Sequence, residues 1–385
     1  MFIKEDIKYI GVNDHKIDLF ESQFQVPNGM AYNSYLILDE KSCVMDSVDS
    51  DFHEEWFAQI DENLQGADPD YIIIQHMEPD HSGSIDMFMK KYPKTQIVAT
   101  KKAFEFMEQF YGENYDGRRI IVGDNDELSL GKRTLKFITA PMVHWPEVIF
   151  TYDKHDKLLF SADAFGKFGA LDVDEPWRGE ARRYYTAIVG KYGPQVKAAF
   201  KKLEGLEIEI ICPLHGPVLM EDVEYNINLY HTWSCYEVET KGVGIFYTSV
   251  YGNTREAVNI LQEKLEEKGC ERIVVKDLAR SPMSECVEEA FRFGKIVLAT
   301  TTYNSDIFPY MREFIENLVE RGWQNRTIGL IENGTWANMA GKKMMERLSK
   351  CKNIIYTDTM VSIKSSVGDF NKIQLENLAN ELIKE

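Results

Sequence analysis

The chain has 385 residues, of which 44% are hydrophobic and 28% are charged, and its formal net charge is −18. These totals predict a globular protein of two or three domains, and the acidic balance argues against nucleic acid or an anionic membrane as a partner. No apolar run approaches the length of about 20 residues that spans a bilayer, and the N-terminus lacks a leader-like apolar stretch, so we expect a cytoplasmic protein. Six scattered cysteines without a C-x-x-C pair argue against an iron–sulfur cluster or a disulfide framework.

The first part of the chain mixes short strands with helices. Strands are predicted at 34–38, 42–46, 71–75, 96–99, 119–122, 134–138 and 148–152, and helices at about 50–64, 84–92, 102–112 and 180–203. Polar turn sequences such as 39–41 and 153–156 separate them. This mixture predicts an α/β sandwich of two mixed sheets with helices outside.

The pattern becomes regular after residue 240. Strands at 243–248, 271–276, 294–300, 326–331 and 353–358 alternate with helices at 254–268, 283–292, 308–322, 338–350 and 370–384. Such alternation predicts a doubly wound, parallel five-stranded sheet. We therefore expect two domains, 1–240 and 241–385, with a short linker at 235–242.

Metal-ligating residue types follow apolar runs at four places in the first domain. The hexad His76-Met77-Glu78-Pro79-Asp80-His81 follows the apolar run 71–74, and three further apolar runs end just before His144, Asp163 and His215. Together these positions offer four histidines, two aspartates and one glutamate, which a metal pair bridged by one carboxylate would use in full. A nitrogen and oxygen ligand set without thiolate suits iron or manganese as well as zinc.

Three segments of the second domain follow predicted strands and predict a site for a phosphate-bearing cofactor. Small and hydroxyl residues between a strand and a helix form an anion site, and loops at the carboxyl ends of a doubly wound sheet lie side by side. The first segment is neither G-x-G-x-x-G nor a Walker loop, which makes ATP or a dinucleotide less favoured. Each segment brings an aromatic residue that could stack on a ring. The segments are Thr248-Ser249-Val250-Tyr251-Gly252-Asn253-Thr254, Thr300-Thr301-Thr302-Tyr303-Asn304 and Glu332-Asn333-Gly334-Thr335-Trp336-Ala337.

The order H-x-E-x-D-H, then His, Asp and His, resembles the metallo-β-lactamase fold. Hydrolases of that superfamily typically carry H-x-H-x-D-H, so Glu78 is a departure. With glutamate at this position, the motif resembles that of the flavodiiron proteins (A-type flavoproteins). These proteins join a metallo-β-lactamase-like αβ/βα sandwich to a C-terminal flavodoxin-like domain. Segments 32–36 and 144–147 also resemble that family, and segment 248–254 resembles the phosphate loop of flavodoxins.

The resemblance implies a diiron centre as the catalytic group. One iron would be held by His76, Glu78 and His144, the other by Asp80, His81 and His215, with Asp163 as the bridge. Some family members carry a further histidine where this chain has Glu21, so a role for Glu21 near the irons stays open.

The resemblance also implies FMN in the second domain and reduction of O2 to water, of NO to N2O, or of both. In the family, the flavin and the irons of one chain lie far apart, so a head-to-tail homodimer or a dimer of dimers is expected. No rubredoxin or NADH-binding extension follows residue 385, so an external donor such as rubredoxin or a flavoprotein reductase is expected to supply electrons.

Two other functions fit parts of the pattern. One is a zinc-dependent hydrolase of the metallo-β-lactamase superfamily with a flavin-binding accessory domain, against which Glu78 argues. The other is an electron-carrying flavoprotein with a degenerate metal domain, against which the full set of seven ligands argues.

Overall fold

The computed structural model describes residues 2–384 and divides the chain into two units, 1–231 and 232–385. The strands of the first unit are β1 (Phe2–Lys4), β2 (Ile7–Tyr9), β3 (Val12–Asp14), β4 (Leu19–Phe20), β5 (Phe24–Gln25), β6 (Met30–Tyr32), β7 (Tyr35–Ile37), β8 (Cys43–Met45), β9 (Tyr71–Ile73), β10 (Gln96–Ala99), β11 (Arg119–Ile121), β12 (Glu127–Ser129), β13 (Thr134–Thr139), β14 (Ile149–Asp153), β15 (Leu158–Phe160) and β16 (Ile210–Cys212). Its helices are α1 (His53–Leu64), α2 (Pro79–Ser82), α3 (Ile85–Lys91), α4 (Lys101–Tyr111), α5 (Trp177–Tyr184) and α6 (Gly193–Leu203), and α7 (Val223–Ser234) contains the boundary between the units.

Two mixed sheets form the first unit, as the sequence predicts. One has the order β1-β2-β7-β8-β9-β10-β11, antiparallel up to β8 and parallel from β8 to β11. The other has the order β12-β13-β14-β15-β16, in which β15 and β16 alone form a parallel pair. Buried residues of β7 to β10 share one hydrophobic core with buried residues of β13 to β16. The core therefore lies between the sheets, and β9, β13, β15 and β16 lead into the segments that carry the predicted ligands.

The predicted helix at 180–203 is interrupted. The chain forms α5, then a π-helical segment at Tyr185–Val189 and a 3-10 turn at Gly190–Tyr192, before α6 begins at Gly193. Pro194 explains the restart, because proline cannot donate the backbone hydrogen bond of a helix interior but fits the first turn. By contrast, α4 has ordinary ends: Thr100 accepts from the N–H of Ala103, and Gly112 closes the helix with φ +69°.

The second unit alternates strands and helices throughout. Its strands are β17 (Thr240–Tyr247), β18 (Ile273–Asp277), β19 (Phe293–Tyr303), β20 (Asp306–Ile307), β21 (Arg326–Asn333) and β22 (Ile354–Ile363). Its helices are α8 (Asn253–Glu267), α9 (Met283–Arg292), α10 (Pro309–Glu320), α11 (Ala340–Leu348) and α12 (Asp369–Ile383).

The sheet of the second unit has the parallel order β18-β17-β19-β21-β22, with the short β20 paired antiparallel to β19. This is the flavodoxin-like strand order. One hydrophobic cluster holds buried residues of α9, α10 and α11, and another holds those of α8 and α12. Both faces are thus covered, which confirms the doubly wound prediction. Within residues 2–384, no helix combines the length and the apolar character needed to cross a bilayer.

Candidate functional site

The hexad at 76–81 changes conformation halfway. Glu78 is extended, with φ −61° and ψ 140°, and serves as the N-cap of the one-turn helix α2, which starts at Pro79. Proline suits this first helical position because its nitrogen has no proton to satisfy. The extended part carries His76 and Glu78, whereas the helical turn carries Asp80 and His81. The turn therefore distributes one short motif between two ligand groups.

Asp46 fixes the chain where it leaves β9. Its buried carboxylate accepts the backbone N–H of Gln75 at 2.7 Å and the side-chain amide of Gln75 at 2.8 Å. Burial raises the pKa of Asp46 to about 6, although the hydrogen bonds from Gln75 act in the opposite direction. The carboxylate holds the backbone immediately before His76.

The first ligand group consists of His76, Glu78, His144 and Asp163. His144 Nε2 lies 2.9 Å from Glu78 Oε2 and 2.9 Å from Asp163 Oδ2. His76 Nε2 lies 3.4 Å from each of the same two oxygens and 3.3 Å from His144 Nε2. Four potential ligand atoms thus face one point.

The second ligand group consists of Asp80, His81 and His215, with the other oxygen of Asp163 beside it. His81 Nε2 lies 3.0 Å from His215 Nε2, 3.4 Å from Asp80 Oδ2 and 3.3 Å from Asp163 Oδ1. His215 Nε2 lies 3.3 Å from Asp80 Oδ2. Asp163 faces the first group with Oδ2 and the second with Oδ1, which is the arrangement of a bridging carboxylate.

The donor set fits two metal ions. With a metal–ligand bond of about 2.1 Å, neighbouring ligand atoms lie about 3.0 to 3.4 Å apart for angles between about 90° and the tetrahedral value. The observed separations span 2.9 to 3.4 Å. Both oxygens of Asp163 are buried and accept no hydrogen bond from the described part of the chain. Buried carboxylates without donors and imidazole nitrogens facing one another both call for a cation.

Two imidazoles are oriented by groups that can only accept a hydrogen bond. His76 donates from Nδ1 to Glu147 Oε1 at 2.8 Å, and His215 donates from Nδ1 to the carbonyl of Ala31 at 2.8 Å. Each bond places the proton on Nδ1 and leaves Nε2 free to bind a metal. Glu147 belongs to the segment 144–147 that resembles the family, but the sequence assigned it no role.

The charges of the metal-free site are tightly coupled. Burial alone would lower the pKa of His144, but Asp163 and Glu78 raise it to about 9. Burial would raise the pKa of Glu78, but His144 and His76 hold it well below its usual range. Protons on the imidazoles thus balance the carboxylates, and metal binding would have to displace them.

Tyr184 is a site residue that sequence reasoning missed. Its ring centroid lies 5.3 Å from that of His215, and its hydroxyl is buried without a hydrogen-bond partner among residues 2–384. Burial, followed by the charges of Asp163, Glu78 and Asp80, raises the pKa of Tyr184 well above its usual value. Nothing in the local sequence marks this tyrosine, because it lies at the end of α5 and reaches the site only through the fold.

Glu21 does approach the first ligand group. It lies with Ser22 at the tip of the β4–β5 hairpin, where both residues have positive φ, and the adjacent Phe20 packs its ring 5.5 Å from that of His215. Desolvation of the carboxyl group and repulsion from Glu78 raise the pKa of Glu21. The residue as a whole is exposed.

The three predicted cofactor segments meet at the carboxyl edge of the second sheet. Thr248 and Thr300 share a hydrogen bond of 2.6 Å between their hydroxyls, and Thr301 donates to the carbonyl of Asn333 at 3.1 Å. Thr302 accepts from the N–H groups of Met339 and Ala340, at the start of α11. Hydroxyl groups therefore join all three segments.

The second and third segments begin inside strands. Residues 300–303 belong to β19 because Tyr303 pairs with Asp306 across a tight turn, and Glu332 and Asn333 belong to β21. The carboxylate of Glu332 accepts from the N–H of Gly341 and from Ser362, so this side chain is used within the unit. The loop predictions were therefore wrong at these boundaries.

The first segment has the features of an anion-binding turn. Gly252 has φ +97°, a conformation that favours glycine, and α8 begins at the next residue. Ser249 Oγ accepts from the N–H groups of Gly252 and Arg255. The N-terminus of this 15-residue helix offers backbone donors to a phosphate.

Two of the three aromatic residues in these segments are almost fully exposed to solvent. Tyr251 and Trp336 are each 93% exposed, whereas Tyr303 is 44% exposed and packs edge-on against Phe308. Val250 is also exposed. Such large exposed rings beside an anion-binding turn are suited to contact a planar ligand.

Comparisons with known proteins agree with both units. A family described as "ODP family beta lactamase" matches residues 30–216. A nitric oxide reductase of Moorella thermoacetica is 30% identical over 361 residues, covering 91% of this chain and 90% of that protein.

Two solved structures match nearly the whole chain. The rubredoxin oxygen:oxidoreductase of Desulfovibrio gigas has a TM-score of 0.90 at 26% identity and covers 99% of this chain and 97% of its own. The flavodiiron protein from Giardia intestinalis has a TM-score of 0.91 at 26% identity, covering 99% and 95%. This chain has two adjacent ligand groups and a flavodoxin-like unit, and by these comparisons it belongs to the flavodiiron protein family, whose members combine a flavin with a diiron site.

Proposed function

We propose that this chain is an oxidoreductase that reduces O2 to water, NO to N2O and water, or both, with two irons in domain 1–240 and FMN in domain 241–385. The observation that carries the proposal is the carboxylate of Asp163, which faces both ligand groups at 2.9 to 3.4 Å. The names of two relatives, nitric oxide reductase and rubredoxin oxygen:oxidoreductase, support the same substrates.

The two ligand groups would hold the irons through the seven predicted residues. His76, Glu78 and His144 would bind one iron, Asp80, His81 and His215 the other, and Asp163 both. The iron pair supplies two electrons and a position for a small diatomic substrate.

The side chains around the pair would assist in different ways. Glu78 and Asp163 supply negative charge that favours the ferric state. Tyr184 offers a buried hydroxyl that no other residue of 2–384 bonds, and this hydroxyl can donate to an oxygen atom of the substrate. Phe20 covers His215 and excludes water from that side.

Electron counting favours the combination of a flavin with two irons. Reduction of O2 to water takes four electrons, and reduction of two NO molecules to N2O takes two. Reduced FMN and two ferrous ions hold four together, so either reaction can finish without release of a half-reduced oxygen species.

FMN would bind at the three joined segments of the second unit. Residues 248–254 and the start of α8 would take the phosphate, and residues 300–304 and 332–337 would border the ring. Tyr251, Tyr303 and Trp336 are the candidates for ring contact.

The expected partners of the flavin segments are an electron donor and a second copy of the chain. An external rubredoxin or flavoprotein reductase would deliver electrons to FMN in the cytoplasm. A head-to-tail homodimer, or a dimer of two such dimers, would bring the FMN of one chain to the irons of its partner. The 93% exposure of Trp336 is consistent with a residue that a partner chain covers.

Metal and flavin analysis, combined with turnover, tests the proposal. The purified chain should contain two irons and one FMN and should reduce O2 or NO when both are compared with one electron donor. Zinc without iron, together with hydrolytic activity, would instead favour the hydrolase. An active monomer in analytical ultracentrifugation would refute the dimer.

A further inference from the structure

The imidazoles of the two ligand groups are supported by unequal partners. Glu147, a charged carboxylate, accepts from His76 Nδ1 at 2.8 Å in the first group. In the second group, the neutral carbonyl of Ala31 accepts from His215 Nδ1 at 2.8 Å. His81 Nδ1 is buried and has no hydrogen-bond partner among residues 2–384. Within residues 2–384, the first group alone therefore has an anion that accepts a hydrogen bond from one of its imidazoles.

Glu147 is built into its position. The residue is 2% exposed, and Oε1 also accepts the backbone N–H of Met77 at 2.9 Å. Its own carbonyl accepts from the hydroxyl of Thr100 at 3.1 Å, next to the N-terminus of α4. In the described part of the chain, the one ion pair that Glu147 forms is with His76. No lysine or arginine neutralises it there, so its charge acts on the imidazole.

The other charges are distributed over both groups. The first group has Glu78 as a ligand and Glu21 beside it, whereas the second has Asp80 as its own carboxylate. Asp163 is shared by both. Asp46 lies behind both groups, close to the backbone N–H of His76 and in electrostatic contact with His81. Asp49 interacts with Asp80 as Glu21 does with Glu78, so the charge that distinguishes the first group is Glu147.

We propose that Glu147 is a positioning residue that makes the two irons unequal, with the lower reduction potential at the iron of His76, Glu78 and His144. A carboxylate that accepts from Nδ1 increases the basicity of the imidazole and fixes its orientation. More anionic surroundings favour Fe3+ over Fe2+. With iron in both groups, Asp80, His81 and His215 would hold the iron with the higher reduction potential. The inference rests on the proposed function, because it needs iron in both groups.

Glu147→Gln in the full-length, iron-loaded protein is the direct test. Glutamine keeps the shape and an oxygen that can accept from His76 and Met77, so the substitution removes mainly the charge. Redox titration with dithionite, followed by Mössbauer and EPR spectroscopy, should show two one-electron steps in the wild type. In the variant, the lower step should move upward while the upper step stays in place. Each tenfold fall in the ratio of ferric to ferrous affinity moves that step by about 59 mV.

Metal affinity gives a second readout that does not depend on turnover. Competition with a chelator should show one of the two Fe2+ ions bound about 10- to 100-fold more weakly in Glu147→Gln, as is typical when a partner of a ligating histidine is removed. Glu147→Asp, which keeps the charge, should restore part of both effects. A variant that retains one iron per chain would also support the proposal.

Glu21→Gln is the matched control, because it removes a charge from the same side without touching an imidazole. Its effect on the potential should shrink as salt is added, since Glu21 is exposed, whereas the effect of Glu147 should persist.

A single unresolved reduction step in the wild type would overturn the inference, as would equal shifts of both steps or an unchanged titration in Glu147→Gln. A folded variant that loses both irons would do the same. Fewer than two irons in the wild type would instead count against the proposed function.

Discussion

The substitution Tyr184→Phe should stabilise the metal-free protein and slow turnover by the iron-loaded protein. The hydroxyl of Tyr184 is buried, has no hydrogen-bond partner within the described residues and lies among the charges of Asp163, Glu78 and Asp80. Phenylalanine keeps the ring that packs 5.3 Å from His215 and 5.1 Å from Phe168, so no large cavity opens. The substitution therefore removes a polar atom whose hydration was lost without compensation.

The size of both effects follows from that hydroxyl. An unsatisfied buried polar group costs about 1 to 3 kcal/mol, and its removal returns that free energy to the folded state. For a unit of 231 residues, each 1 kcal/mol shifts Tm by about 2 to 4 °C, so the transition of the first unit should rise by at least about 2 °C. A hydrogen bond to a charged group contributes about 1.5 to 3 kcal/mol, so its loss should lower kcat about 10- to 100-fold.

Tyr35→Phe is the control with the opposite sign. Tyr35 is also fully buried, but its hydroxyl donates to the carbonyl of Pro213 and accepts from Asn33. Its removal should lower Tm of the metal-free chain in the same calorimetric scan. Two results would contradict the assignment of the Tyr184 hydroxyl to the substrate. One is a loss of stability in Tyr184→Phe like that expected for Tyr35→Phe, and the other is full turnover of O2 and NO by Tyr184→Phe.

Four further predictions concern the ligands and the flavin. Asp163→Ala should abolish terminal reduction and lower iron content while FMN stays bound, because each ligand group loses one oxygen of the shared carboxylate. Metal and flavin analysis of one sample will show this. Glu78→His should gain zinc and lose O2 reduction, and a variant that still loads two irons and turns over normally would contradict the role of the carboxylate. The pKa of His144 is raised to about 9, so its proton stabilises the metal-free fold fully below about pH 6.5, and this stabilisation is lost as the pH rises toward 9. A metal ion must displace the same proton. Chelator competition should therefore show metal affinity rising up to about tenfold per pH unit between pH 7 and 9. Gly334→Ala should weaken FMN binding without loss of iron, since a Cβ would lie 2.6 Å from the carbonyl of Ala337, whereas Gly179→Ala meets nothing within 4 Å and should bind FMN normally.

The sequence predicted the fold class and the family because those depend on local patterns. Alternation of apolar segments after residue 240 reports a doubly wound sheet, and the helix at 283–292 agrees with α9 at both ends. The prediction of one continuous helix at 180–203 was wrong. Its apolar periodicity continues through Gly190 to Pro194, where the backbone properties of glycine and proline interrupt the helix. Local pattern therefore predicts elements better than it predicts their interruptions.

The site residues also divide into those that local sequence patterns predict and those that they do not. The seven ligand candidates were recognisable because polar residues after apolar runs are conspicuous, and the structure brings all seven together. Glu147 and Tyr184 were not, because a buried carboxylate behind a histidine and an unpaired phenol are defined by distance in space. Glu21 was visible only as a departure from relatives, and its approach to Glu78 depends on the β4–β5 hairpin.

Charge explains why one position in the hexad can separate redox chemistry from hydrolysis. The seven candidate ligands include three carboxylates, Glu78, Asp80 and Asp163, whereas a histidine at position 78 would leave two. Two ferrous ions bring four positive charges and two ferric ions bring six, so oxidation adds two charges to a buried site. Every additional carboxylate lowers the cost of that oxidised state in a low-dielectric interior. Zinc never makes this change of charge and gains nothing comparable from the third carboxylate. Glu78 therefore matters less for holding a metal than for allowing its charge to change, which is why its replacement should exchange the metal rather than empty the site.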